Sequence, residues 1–144
     1  MKRRVFLAGL GSCSAMLLGP VAGHAHGYRT RTIDITHPWT FEQEGKGVDA
    51  VIGMEIRNKS KRADALVRVE APDAAGIDLR NGEATVASIE IAAGASLTLH
   101  AKGPHILLRG VRKTLFAYNN LYLTLVFAKA GRIKVEVVVE DRPA

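Results

Sequence analysis

Apolar and polar residues alternate along most of this 144-residue chain, and they do so in short bursts. Thr30 to Thr36 alternates around Ile33 and Ile35, and Val48 to Arg57 forms a longer apolar run closed by Asn58-Lys59-Ser60-Lys61. Ala65 to Glu70 sets Leu66, Arg68 and Glu70 against Val67 and Val69, and Ala71-Pro72-Asp73 ends it. Ile77 to Leu79 and Thr85 to Ile91 flank Asn81-Gly82, a strong turn dipeptide. Ser96 to His100, Ile106 to Arg109, Leu121 to Phe127 and Ile133 to Val139 complete the series, with Ala130-Gly131 turning the last pair. A period of two over four to eight residues is the signature of a half-buried strand, and no window sustains a helical period. About eight or nine strands spaced roughly ten residues apart predict an all-β fold, an antiparallel sandwich or Greek-key barrel.

The first 25 residues break this pattern. Lys2, Arg3 and Arg4 precede an apolar stretch from Val5 to Leu18, and Gly23 and Ala25 supply small residues for cleavage. That arrangement predicts a signal peptide cut after Ala25, a periplasmic location and a single domain over residues 26–144. The apolar stretch of about 14 residues is shorter than the roughly 20 that span a bilayer. No later stretch is long enough either, so the mature chain is expected to lack a transmembrane segment. Arg3-Arg4 is compatible with twin-arginine export, and Leu10-Gly11-Ser12-Cys13 offers a lipoprotein box as the lesser alternative.

Removing that segment changes the charge. The remaining 17 basic and 14 acidic residues leave +3 rather than +6. No basic run is interleaved with aromatics, so nucleic-acid binding has no footing. Cys13 is the sole cysteine and departs with the leader. Disulfides, zinc–thiolate sites and blue-copper centres are then excluded.

The chemistry-bearing residues are histidines. Ser96 to Val111 places His100 and His105 on either side of Ala101-Lys102-Gly103-Pro104. If the flanking strands pair across that turn, the two imidazoles face each other about 5 Å apart at Cβ and can share one metal ion. The plainer alternative is two histidines that merely flank a loop. His26 becomes N-terminal after cleavage, so its α-amine and imidazole can chelate together and favour Cu(II), unless it simply frays. His37 precedes Pro38 and is expected at a strand end in a structural role. Met54 reads as core. Glu42 and Glu44 lie in a polar loop, and no nucleophile elbow, phosphate loop or His-Glu-x-x-His motif is present, so the chain is not expected to be an enzyme.

Four stretches resemble the periplasmic copper chaperone family PCu(A)C. They are Ile33-Asp34-Ile35-Thr36-His37-Pro38-Trp39, Asp49 to Asn58, Gly103 to Val111, and Leu121 to Phe127 with Gly131 and Val135. The resemblance implies a cupredoxin-like β-sandwich, which often hosts blue copper, and delivery of copper to an envelope partner such as cytochrome c oxidase. That family holds Cu(I) with two His and two Met, since thioethers are soft donors. Here Arg80 stands at the first His place, Asn81 to Ser88 supplies no Met, and only His105 remains of the His-x-Met pair, with Leu107 second. Two readings stay open: a divergent copper carrier centred on His105 and His100, and a metal-free module docking a protein or anion through Arg80, Arg109 and Arg112. A copper-oxidase site on His26 is a third, weaker one.

Overall fold

The computed structural model describes residues 27–117 and 119–143. The expected leader, Cys13 and His26 lie outside them. Eleven strands follow in chain order: β1 (Gly27–Arg29), β2 (Ile33–Phe41), β3 (Val48–Asn58), β4 (Asp64–Glu70), β5 (Ala74–Asn81), β6 (Ala84–Val86), β7 (Ile89–Ile91), β8 (Ser96–Leu99), β9 (Pro104–Val111), β10 (Leu121–Phe127) and β11 (Gly131–Glu140). The main path runs β6-β5-β9-β3-β2-β11-β10-β4-β7, with β1 on β2 and β8 on β3. This is a cupredoxin-like, nearly closed β-barrel. All ladders are antiparallel except β11 with β2, where Val138 pairs with Trp39 and Glu140 with Phe41.

Alternation does what it predicted. Leu121, Leu123, Leu125 and Phe127 of β10, and Ile133, Val135, Val137 and Val139 of β11, point inward, while Tyr122 and Lys134 point out. Inside, they meet Ile52, Met54 and Ile56 of β3 and Ile106 and Leu108 of β9 in one core. Met54 is a core residue, 1% exposed. Asn81-Gly82 makes the β5–β6 turn, with Gly82 at φ 62°, and Gly131 at φ 80° begins β11. Both turns need a left-handed residue, which glycine adopts without steric cost.

Three expectations change. Thr85 to Ile91 is two strands rather than one, because the chain leaves β5 after Val86 and joins β4 at Ile89. The first strand continues past Thr36 to Phe41 through a bulge, since the β2–β3 register slips between Thr36 and Trp39. The third change concerns the two histidines. β8 and β9 do not form a hairpin. Both run antiparallel to β3, with Met54 opposite Leu99 and Ile52 opposite Ile106. They lie end to end along one edge of β3, and residues 100–103 loop out between them.

Two buried polar residues fasten the loops. Asp64 accepts backbone N–H bonds from Ala65, Lys129 and Ala130, tying the β10–β11 turn to β4. Asn58, fully buried, donates to the carbonyls of Arg62 and Ile91 and accepts from Ser60.

Candidate functional site

β9 lies between β3 and β5, and that position decides what surrounds His105. Ile106 and Leu108 fill the core, so His105, Leu107 and Arg109 belong to the opposite face. Arg80 of β5 pairs with His105, and Asp78 pairs with Leu107. Directly opposed residues of an antiparallel pair share a face. Arg80, Asp78, His105 and Leu107 therefore form one block on the outer face of the sheet.

The block is cationic. Asp78 Oδ2 lies 3.6 Å from Arg80 Nη2 and 3.3 Å from Arg109 Nε, so one carboxylate serves two guanidiniums. Arg109 can fold over the strand because residue 76 is glycine: a Cβ there would lie 2.4 Å from Arg109 Nη2. The Nε of Arg80 is buried without a hydrogen-bond partner. The Arg80 charge on the strand position opposite His105 would repel a cation held there, an effect partly offset by Asp78.

His105 is buried, at 4% exposure. Its Nδ1–H donates to the carbonyl of Gly103 at 2.9 Å. A carbonyl can only accept, so Nδ1 bears the proton, and in the neutral ring Nε2 carries the lone pair, the tautomer usual for a metal-binding imidazole. His100 reaches the same glycine from the other side. Its N–H donates to Pro104 O at 2.8 Å and its carbonyl accepts from Gly103 N–H at 3.0 Å, closing the loop. Its exposed ring lies over Gly103, where a Cβ would come within 2.8 Å of Nε2. The two imidazoles thus gather around Gly103, through the loop rather than across a hairpin.

The other histidines lie elsewhere. His37 contacts Glu140 of β11, with Nε2 to Oε1 at 2.6 Å. His26 lies outside the described residues. Among the described residues no three His, Cys, Asp or Glu side chains converge to hold a metal. The four-donor His/Met set implied by the resemblance does not fit here: Arg80 fills one place, Leu107 another, and residues 81–88 bring no thioether. A cavity of about 210 Å³ opens nearby between Asn81, Val86, Ile89, Leu97 and Pro104, smaller than the usual ligand cleft. The sequence pattern does not mark Asp78 or Glu140: only the strand register sets Asp78 between Arg80 and Arg109 and brings Glu140 to His37.

A family model described as "Putative lipoprotein LpqE-like" matches residues 33–139. This chain belongs to the LpqE-like family. The LpqE-like chain is 26% identical over 144 residues to "Putative lipoprotein Lxx21020" of Leifsonia xyli subsp. xyli, covering 94% of this chain and 84% of that one. Its fold matches the PCuAC domains. The copper-bound PCuAC domain from PmoF2 has TM-score 0.75 and 26% identity, covering 81% of this chain and 99% of that one. The apo PCuAC domain from PmoF1 has TM-score 0.76 and 22% identity, with 81% and 100% covered. The Cu(I) form of DR1885 from Deinococcus radiodurans has TM-score 0.65 and 21% identity, with 83% of each chain covered. This LpqE-like chain is therefore a divergent PCuAC-type domain lacking most of the His/Met motif. Among its described residues, no helix is long and apolar enough to cross a membrane.

Proposed function

We propose that this LpqE-like protein is an exported, non-enzymatic copper carrier. It binds copper at the β8–β9 junction through His105 and His100 and passes it to an envelope partner such as cytochrome c oxidase. The carrying observation is the Nδ1–H bond from His105 to Gly103, which leaves Nε2 to coordinate, with His100 against the same glycine. Two imidazoles without thioethers favour Cu(II) over Cu(I). The family name supports export, and with it lipidation at Cys13 as an alternative to cleavage after Ala25.

One observation favours a second reading. Arg80 occupies the position opposite His105, and Arg109 joins it across Asp78. A metal-free module that docks an acidic protein segment or other anion on this face accounts for those cations. Copper titration of the processed protein separates the two. In the carrier, stoichiometric Cu(II) binding weakens at least tenfold, about 1.4 kcal/mol, on His105→Ala or His100→Ala. Leu107→Met then raises Cu(I) affinity relative to Cu(II). Binding indifferent to both histidines rules out the carrier site at this junction.

A further inference from the structure

Two glycines level the outer face of the sheet. Trp39 pairs with Gly53 across β2 and β3, and a Cβ at residue 53 would lie 2.4 Å from the indole Cε2, so the ring lies over bare backbone there. Arg109 does the same over Gly76. Between them Val51 pairs with Leu107, which pairs in turn with Asp78. Phe41 stands two residues beyond Trp39 on β2, their ring centroids 4.8 Å apart. Paired residues, and residues two apart on one strand, share a face. Trp39, Phe41, Val51 and Leu107 therefore form one apolar strip, each of them half-buried, and the strip ends at the guanidiniums of Arg80 and Arg109.

The cationic end has donors to spare. The contacts of Asp78 with Arg109 and Arg80, at 3.3 and 3.6 Å, exceed the about 2.7–3.2 Å of well-formed N–H···O bonds. The Arg109 side chain is 53% exposed. Neighbouring carboxylates are engaged elsewhere: Asp49 accepts from the Gly110 N–H, and Glu140 contacts His37. Two guanidiniums that share one carboxylate are complemented by a second, because the planar N–H fork of arginine matches carboxylate oxygens.

We propose that the strip and its arginines dock an extended segment of a partner protein, in which a carboxylate is followed by apolar side chains at the second and fourth positions. The proposal rests on the docking reading of this face and adds what the segment must carry besides charge. Neighbouring strands lie about 4.8 Å apart, so the seam between β9 and β3 is about 7 Å from β5, and β2 is about 14 Å from it. An extended chain sets the side chains of one face about 7 Å apart. A segment laid across the strands with its carboxylate over β5 thus brings its next two same-face residues over Leu107 and Val51, and then over Phe41 and Trp39.

The test is titration of the processed chain with an end-capped peptide of repeating Glu-Ser-Leu-Ser-Phe-Ser. Binding is read by calorimetry and by the emission of Trp39, the only tryptophan of the chain. One control peptide has Gln in place of Glu, and the other has Ser in place of Leu and Phe. The full peptide should bind at least tenfold tighter than either control and shift the Trp39 emission. Arg109→Gln and Leu107→Gln should each weaken it at least fivefold. Both side chains belong to the outer face, and circular dichroism and melting check that the variants fold. An all-polar acidic control that binds as tightly, and weakens with Arg109→Gln, overturns the proposal while the docking reading stands. A Gln control that binds as tightly, or no binding of any peptide at millimolar concentration, overturns both. Self-association in sedimentation that Leu107→Gln abolishes gives the face to a second copy of the chain and overturns the proposal as well.

Discussion

Asp64 holds three backbone N–H groups with one carboxylate. It is 5% exposed, and its Oδ1 accepts from Ala65 N–H at 2.8 Å and from Lys129 N–H at 2.8 Å. Its Oδ2 accepts from Ala130 N–H at 3.0 Å. Hydrogen bonds to a charged group contribute about 1.5–3 kcal/mol each, but three that share one carboxylate do not add in full. Asp64→Ala removes all three and is expected to cost about 4–5 kcal/mol, at the extreme of single substitutions. Asp64→Asn is the sharper change. Its carbonyl can keep the two bonds of Oδ1, while its amide turns a donor toward the Ala130 N–H. One bond is lost and one donor stranded, for about 1.5–3 kcal/mol. With a urea slope of roughly 2 kcal/mol/M, the midpoint falls by about 1 M for Asn and about 2 M for Ala. Hydrogen exchange should quicken first at Lys129 and Ala130. Equal losses for Ala and Asn, or an Asn variant within about 0.5 kcal/mol of the parent, would refute the assignment of separate work to the two oxygens.

Two glycines test packing against flexible and rigid neighbours. A Cβ at Gly53 would lie 2.4 Å from Trp39 Cε2, and one at Gly76 the same distance from Arg109 Nη2. The ring cannot bend, so Gly53→Ala should cost about 1–3 kcal/mol and shift Trp39 fluorescence. The guanidinium can swing away, so Gly76→Ala should stay within about 1 kcal/mol in chemical denaturation. The bidentate bond from Arg132, then the charges of Arg132 and Arg68, hold the Glu70 carboxyl below its ordinary 4.5. Stability from this pair is complete above the unfolded carboxyl value and is lost as pH falls through the depressed folded one. Arg132→Gln should therefore raise the Glu70 titration midpoint seen by NMR, and the stability gap from the parent should close in acid.

The strands were legible because burial on one face imposes a period of two, and Leu121 to Phe127 or Ile133 to Val139 admits no other reading. Gly82 and Gly131 were legible because few residues turn a strand so tightly. The pairing of strands was not. A loop between two strands looks the same whether the strands fold back on each other or continue along a third, and the choice between them rests on Met54 and Ile52 of β3. His37 shows the same limit. Its place before Pro38 predicts extended backbone, whereas it stands at φ 52° inside the slip of the β2–β3 register between Thr36 and Trp39. The resemblance put Arg80 at the family's first His place, but its position opposite His105 came only with the β5–β9 register.

The interrupted strand has an evolutionary corollary. Leu97 and Leu99 are held by Ile56 and Met54, and Ile106 and Leu107 by Ile52 and Val51. Each half keeps its own alignment on β3. Residues 100–103 can therefore lengthen, shorten or exchange side chains without sliding either half, whereas a single inserted residue in an unbroken strand would turn every later side chain to the wrong face. Donor groups on such a loop can be gained or discarded while the barrel stays sealed.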